Sequence, residues 1–316
     1  MTLLHPSLSE PFSPWMLGAP LYMPAHRRDL VAIANGEKLP FLRSMIFCTE
    51  DAVSDADIDN SLRHLAACLP DFDGHAGRFR FIRVRNPEVL ARLLALPHIE
   101  KINGFVLPKF TEEVFDAYFS QLQGTAFKVM PTLETREVFD GLAMLRLRER
   151  LVQADIFPRI LMLRIGGNDL MNVLGLRRPR GLTIYDTPMG HVIAQLVILF
   201  KPYHFALSAP VFDYLNDTVT LHKEIVLDLA HGLTGKTAIH PDQIPAIEAA
   251  YAVDGEDYEM ALSLNDDDAP AVFRMHNSMC EVATHQQWGK AILHRQSCYG
   301  VKMPRTLDEY AGLAVS

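Results

Sequence analysis

Lys128-Val129-Met130-Pro131-Thr132-Leu133-Glu134 and Leu161-Met162-Leu163-Arg164-Ile165-Gly166-Gly167-Asn168-Asp169 decide the fold. Each is a short apolar run followed by an acid and then by a helix-like segment, the signature of a parallel strand buried on both faces. Glu134 and Asp169 therefore stand where a strand gives way to a loop, the end at which barrels of parallel strands carry their sites. Two such carboxylates on neighbouring strands suit magnesium, which needs one or two protein carboxylates and takes its other oxygens from water and substrate. Spacing alone admits two unrelated loop acids equally well.

Working outward, eight short apolar segments recur: 18–22, 44–48, 79–84, 104–107, 128–133, 160–165, 204–208 and 237–239. Most lead into stretches of helical periodicity, at 55–68, 87–96, 111–122, from 136 onward, 188–201 and 221–231. This alternation predicts parallel βα units, and eight of them favour a (β/α)8 barrel over an open doubly wound sheet. No Gly-x-Gly-x-x-Gly follows the first strand, so a dinucleotide fold loses its main support. Asp55, Asp57 and Asp59 lack the glycine and distal glutamate of a calcium loop and read as an acidic helix start.

The strand signal stops near residue 245. The reading is a barrel domain over 1–245 and a helical extension over 246–316, with acidic loops at 254–257 and 265–268 and a helix from His285 to Tyr299. Such a helix needs a partner surface for Trp288 and Leu293, on the barrel or on a second subunit, and a homo-oligomer is expected.

A formal net charge of −8 excludes a general nucleic-acid surface. The apolar stretch from Val192 to Phe200 is far shorter than the roughly 20 residues of a membrane span. The N-terminus has no basic segment leading into an apolar core, and Cys48, Cys68, Cys280 and Cys298 show no CxxC spacing, so the expectation is a cytoplasmic protein with free thiols.

Seven motifs in chain order carry a resemblance: Tyr22-Met23-Pro24-Ala25-His26-Arg27, Thr49-Glu50-Asp51-Ala52-Val53, Ile82-Arg83-Val84-Arg85, Val106-Leu107-Pro108-Lys109, Leu133-Glu134-Thr135, Gly167-Asn168-Asp169-Leu170 and the run from Gly235 to Ile244. Together they resemble the HpcH/HpaI aldolase and citrate lyase β-subunit superfamily, in particular its carbon-carbon bond lyase branch associated with tellurite-resistance and stress operons. The resemblance implies a magnesium-dependent TIM-barrel lyase or aldolase acting on an oxo- or hydroxy-carboxylate through a metal-stabilised enolate. It implies Glu134 and Asp169 as metal ligands, Glu50 and Asp51 as the acidic pair holding metal-bound water, and Arg83 as the residue that grips the substrate carboxylate. The alternative reading is a barrel without turnover that serves a biosynthetic or stress-response assembly.

Chemistry agrees with that list. Breaking a carbon-carbon bond beside a carbonyl leaves an enolate, whose charge a metal stabilises without protonation, and a planar guanidinium binds a carboxylate at two points. Arg85 is the second candidate, two residues from Arg83 on the same strand face. The family asparagine is replaced by Arg85, which points to a more anionic substrate, and the family glycine is Ala25, which weighs against close approach of coenzyme A phosphates. The expected partner is a small carboxylate, free, phosphorylated or as a coenzyme A thioester. Three groups stay open: Lys109, His240, and the basic loop Arg177-Arg178-Pro179-Arg180 as a phosphate clamp.

Overall fold

Burial of whole apolar runs gives a parallel sheet whose strands are covered on both faces: β1 Leu21–Pro24, β2 Ser44–Cys48, β3 Phe79–Arg83, β4 Gly104–Leu107, β5 Lys128–Leu133, β6 Leu163–Ile165 and β7 Leu207–Ser208. In the computed structural model, which describes residues 12–51, 53–74 and 77–302, the strands pair in sequence order. The segment 236–238 closes the ring through parallel bridges from Lys236 to Ala209 and from Ala238 to Leu21. The result is the expected (β/α)8 barrel with its eighth strand reduced to two bridges. At the start of β4 a Cβ on Gly104 would stand 1.8 Å from the Lys128 carbonyl oxygen, so the approach of β4 to β5 requires glycine.

The barrel helices are α1 Leu30–Ala34, α2 Ile58–Cys68, α3 Pro87–Leu94, α4 Phe115–Leu122, α5 Gly141–Leu151, α6 Gly167–Val173, α7 Met189–Phe200 and α8 Thr218–Ala230. Their starts are set by local chemistry. Asn86 accepts from Val89 N at 2.9 Å with Pro87 in the first turn of α3, and Asp217 accepts from Thr220 N at 3.0 Å at the head of α8. One expectation changes here: Asp169 lies in the first turn of α6 rather than in a loop, because the helix begins directly at Gly167.

Packing divides the chain into the units Met1–Ile247 and Glu248–Ser316. Helix α9 Gln243–Tyr251 spans that boundary. The second unit contains α10 Gly255–Leu264, a hairpin of β8 Val272–Met275 and β9 Ser278–Glu281, and α11 Val282–Tyr299. Val253, Ala261 and Ile292 form its buried cluster, with Tyr258 and Leu293 packed against them. The sequence reading of a purely helical extension is corrected by this hairpin, and Asp254 to Asp257 open α10 instead of an acidic loop. The hairpin turn places His276 and Asn277 at φ 46° and 59°, the left-handed pair that a two-residue turn matching strand twist requires. Among the described residues no helix is long and apolar enough to cross a membrane.

Inside the barrel the composition changes with height. The lower part is apolar, with Leu17, Ile46, Phe79, Phe81, Val106, Met130, Leu161 and Met162 in one cluster and Tyr22 against it. Above it, Thr132, Arg164 and Ser208 sit side by side in register on β5, β6 and β7.

A second polar group ties α8 to the closing segment. Lys236, fully buried, bonds Glu224 Oε1 at 2.8 Å and Asp228 Oδ2 at 3.0 Å. Arg178 pairs with Glu224 and Asp213 and donates to the Val211 carbonyl, and Tyr185 donates to Asp228 at 2.7 Å. Of the basic loop left open as a phosphate clamp, Arg178 thus uses its charge inside the protein. Removing one member leaves uncompensated buried charge, so Glu224→Gln is expected to lower the unfolding free energy by about 3 kcal/mol in urea titration. A loss below about 1 kcal/mol would mean that Lys236 and Arg178 find other partners.

Candidate active site

The barrel mouth is built from residues that directly follow strands. Thr49 fixes the end of β2 to β3, donating through its amide (3.0 Å) and its hydroxyl (2.8 Å) to the Arg83 carbonyl. Glu50 is thereby held, buried, beside the Arg83 side chain. Arg83 ends β3; its Nη2 contacts Glu50 Oε2 at 2.8 Å and Glu134 Oε1 at 3.2 Å, and its Nη1 contacts Asp51 Oδ2 at 3.0 Å. One guanidinium thus gathers three of the predicted acids, with its Cζ 5.7 Å from the centre of the Tyr22 ring.

Lys109 follows β4 with φ 47°, an uncommon conformation for a side chain with a Cβ. That backbone turn aims its amide at Glu134 Oε1, 2.8 Å away, and its ammonium reaches Glu50 Oε1 at 2.7 Å. Sequence left the role of Lys109 open; the structure has it bridge the two buried glutamates. The hydrogen bond with Glu50 raises its pKa, so it stays protonated.

Glu134 is buried, and burial pushes its carboxyl up to about 7, with the Asp169 charge adding to the rise and Arg83 opposing it. Asp169 is raised too, by burial first and then by the charge of Asp51, with Arg83 and Lys109 pulling the other way. Behind Glu134 stands Gly166, where a Cβ would come within 2.4 Å of the Glu134 Cβ and 2.5 Å of Oε2. The glycine is the space the carboxylate uses.

Arg85 stands apart from this cluster. Its Nη1 donates to the backbone carbonyls of Val53 at 3.1 Å and Glu50 at 3.5 Å, which braces the loop that carries Glu50 and Asp51. His240 pairs with Asp242 in the turn after the closing segment, where Gln243 accepts from Ile239 N and donates to the Phe212 carbonyl. Arg180 lies over the Tyr214 ring, its Cζ 4.8 Å from the ring centre.

Sequence reading missed Arg164. It lies in β6, 5% exposed, with its guanidinium over the Tyr22 ring and one nitrogen on Thr237 Oγ1. The available signal was a single arginine in the middle of an apolar run.

Among the described residues no group of three or more His, Cys, Asp or Glu side chains is arranged to hold a metal by itself. Magnesium asks for less. When all are ionised, Glu50, Asp51, Glu134 and Asp169 are four carboxylates against the two cations Arg83 and Lys109, an excess of two negative charges that one magnesium ion would balance. An all-oxygen donor set of two carboxylates completed by water and substrate fits that ion.

The model of a protein family described as C-C bond lyase of the TIM-barrel fold matches residues 11–301. Among solved structures, a citrate lyase from Burkholderia xenovorans LB400 superposes with a TM-score of 0.70 at 18% identity, over 92% of this chain and 94% of that one. The protein CitE from Mycobacterium tuberculosis, in complex with magnesium, acetoacetate and coenzyme A, gives 0.64 at 19% identity, over 89% of this chain and 98% of that one. The citrate lyase β subunit of M. tuberculosis complexed with oxaloacetate and magnesium gives 0.53 at 18%, over 75% and 98%. At these identities the likeness is one of fold. A search of curated protein sequences finds no match.

Proposed function

This chain belongs to the C-C bond lyase family of the TIM-barrel fold, and from that premise we propose that it is a magnesium-dependent carbon-carbon lyase or aldolase acting on a small oxo- or hydroxy-carboxylate. Glu134 and Asp169 are the residues assigned to the cation. Bound there, magnesium would supply positive charge for the enolate oxygen that develops as the bond breaks. Arg83 offers the substrate carboxylate a planar two-point contact. Its present partners Glu50, Asp51 and Glu134 hold that fork in place and keep it charged. Lys109 is the mouth's second cation, its side chain more than half exposed and its ammonium on Glu50 at 2.7 Å, where it would face a developing negative charge. Glu50 and Asp51 are assigned to water bound at the cation. Magnesium in the complexes of the M. tuberculosis neighbours supports the metal, and Ala25 in place of the family glycine favours a free acid over a thioester.

The observation that carries the reading is the gathering of Glu50, Asp51 and Glu134 around Arg83 at the mouth, where burial pushes Glu134 up to about 7 and raises Asp169 as well. Cation binding requires the ionised form of Glu134, so proton release must accompany it below pH 7. Calorimetric titration with magnesium is expected to give one site per chain at pH 8. Affinity should fall by about tenfold per pH unit below 7, as single-proton linkage demands. Absence of magnesium binding at pH 8 would overturn the reading.

A further inference from the structure

The interior of a parallel barrel is ordinarily filled by branched apolar side chains. Here the level beneath Glu134 holds a buried arginine with no acid opposite it. Among the described residues no carboxylate pairs with Arg164; its contacts are Thr237 Oγ1 and the face of Tyr22, 5.4 Å from Cζ to the ring centre. The Arg164 Nη1 is buried without a hydrogen-bond acceptor, and the neighbouring Thr132 Oγ1 and Ser208 Oγ are buried without partners as well. The three residues are 5%, 4% and 3% exposed. They are Cα partners on adjacent strands, Thr132 with Arg164 and Arg164 with Ser208, so their side chains leave the sheet on the same face.

That face is the interior, because Arg164 on β6 and Arg83 on β3 both reach the Tyr22 ring on β1. Burial keeps the Tyr22 phenol neutral against the pull of the two arginines, so it supplies no countercharge. Thr132 lies two residues before Glu134 and Arg164 two before Gly166, which sets this level about 7 Å below the Glu134 level at strand rise. An unpaired buried cation and two orphaned hydroxyls are each costly, and together they present three donors and a positive charge, a set that an anion satisfies at once.

We propose that Arg164, Thr132 and Ser208 form a second anion-binding position inside the barrel, which takes the distal acidic group, carboxylate or phosphate, of a doubly anionic substrate whose first carboxylate is held at Arg83. This rests on the reading of the mouth given above and extends it to substrate class. Sequence reading attached the extra positive charge to Arg85; in this proposal Arg164 supplies it. Arg85 is turned to backbone carbonyls, and Arg164 points into the barrel.

The test uses the full-length protein with saturating magnesium and three probes that differ only beyond the oxo-acid: pyruvate, freshly prepared oxaloacetate and phosphonopyruvate. Calorimetry of the native protein is expected to show oxaloacetate, phosphonopyruvate or both binding at least about tenfold more tightly than pyruvate. Which of the two is preferred identifies the distal group. In Arg164→Gln the preference should fall to within about threefold with pyruvate affinity unchanged, and the near-isosteric Thr132→Val and Ser208→Ala should each reduce it several-fold. The two hydroxyl variants carry the same test if Arg164→Gln does not fold. Pyruvate binding without any preference in the native protein, or a preference that survives in Arg164→Gln or in both hydroxyl variants, overturns the second position alone. Failure of all three probes to bind the native protein overturns the reading of the mouth, and this proposal with it.

Discussion

Replacing Glu134 by Gln together with Asp169 by Asn is expected to abolish magnesium binding and to lower turnover by at least about a thousandfold, because the charge that stabilises an enolate is removed with the metal. The size follows from what the variants leave behind. Glu50, Asp51, Arg83 and Lys109 remain, but two acids against two cations form a neutral cluster with no excess charge for a divalent ion. The fold should persist. Glu134 lies above the apolar part of the interior, and an amide keeps its shape beside Gly166. Burial already opposes the charged form of Glu134, so the metal-free double variant should melt no lower than the native protein without magnesium. Calorimetry and thermal melts would check both halves. Unchanged magnesium affinity in the double variant would place the cation elsewhere.

Arg83→Lys is expected to reduce kcat/KM by about a hundredfold or more, although charge is conserved. One ammonium cannot span Glu50, Asp51 and Glu134 and still offer two parallel donors to a carboxylate. Arg85→Lys should cost much less and act through looseness of the loop after β2, because Arg85 is bonded to the Glu50 and Val53 carbonyls. Steady-state kinetics of the two variants side by side distinguish the roles. A larger defect in Arg85→Lys than in Arg83→Lys would exchange them.

Much of this arrangement is legible in the sequence because the strands are buried runs with sharp ends. Ser44–Cys48, Gly104–Leu107 and Lys128–Leu133 have the limits that the apolar runs predict. The edges differ where polar or turn residues intrude. Gly18-Ala19-Pro20 delays β1 to Leu21, and 237–239 contributes only a bridge at Ala238. The candidate site residues were picked out through strand ends and motifs, which record position along the chain. What motifs do not record is which side chain faces which. Arg178 looks like part of an exposed basic loop until α8, more than forty residues later, supplies Glu224. Arg164 looks like an interruption of a strand until the barrel closes around it. The β8–β9 hairpin escaped because its turn is His276-Asn277 rather than the more recognisable Asn-Gly.

The thin closure of the barrel has a consequence for motion. Between β7 and β1 the ring is held by the bridges of Lys236 and Ala238, with backbone bonds from Thr234 N to Leu207 O, Ala209 N to Gly235 O and Ala238 N to Pro20 O. Elsewhere in the ring the paired positions run from two, between β5 and β6 and between β6 and β7, to five, between β2 and β3. Fluctuations open first where the fewest bonds must break together, so amide exchange with solvent is expected to concentrate along this line. Lys236, clamped by Glu224 and Asp228, limits how far the seam parts. The seam borders Ser208 and Thr237, which places the most yielding wall of the barrel beside the Arg164 donors.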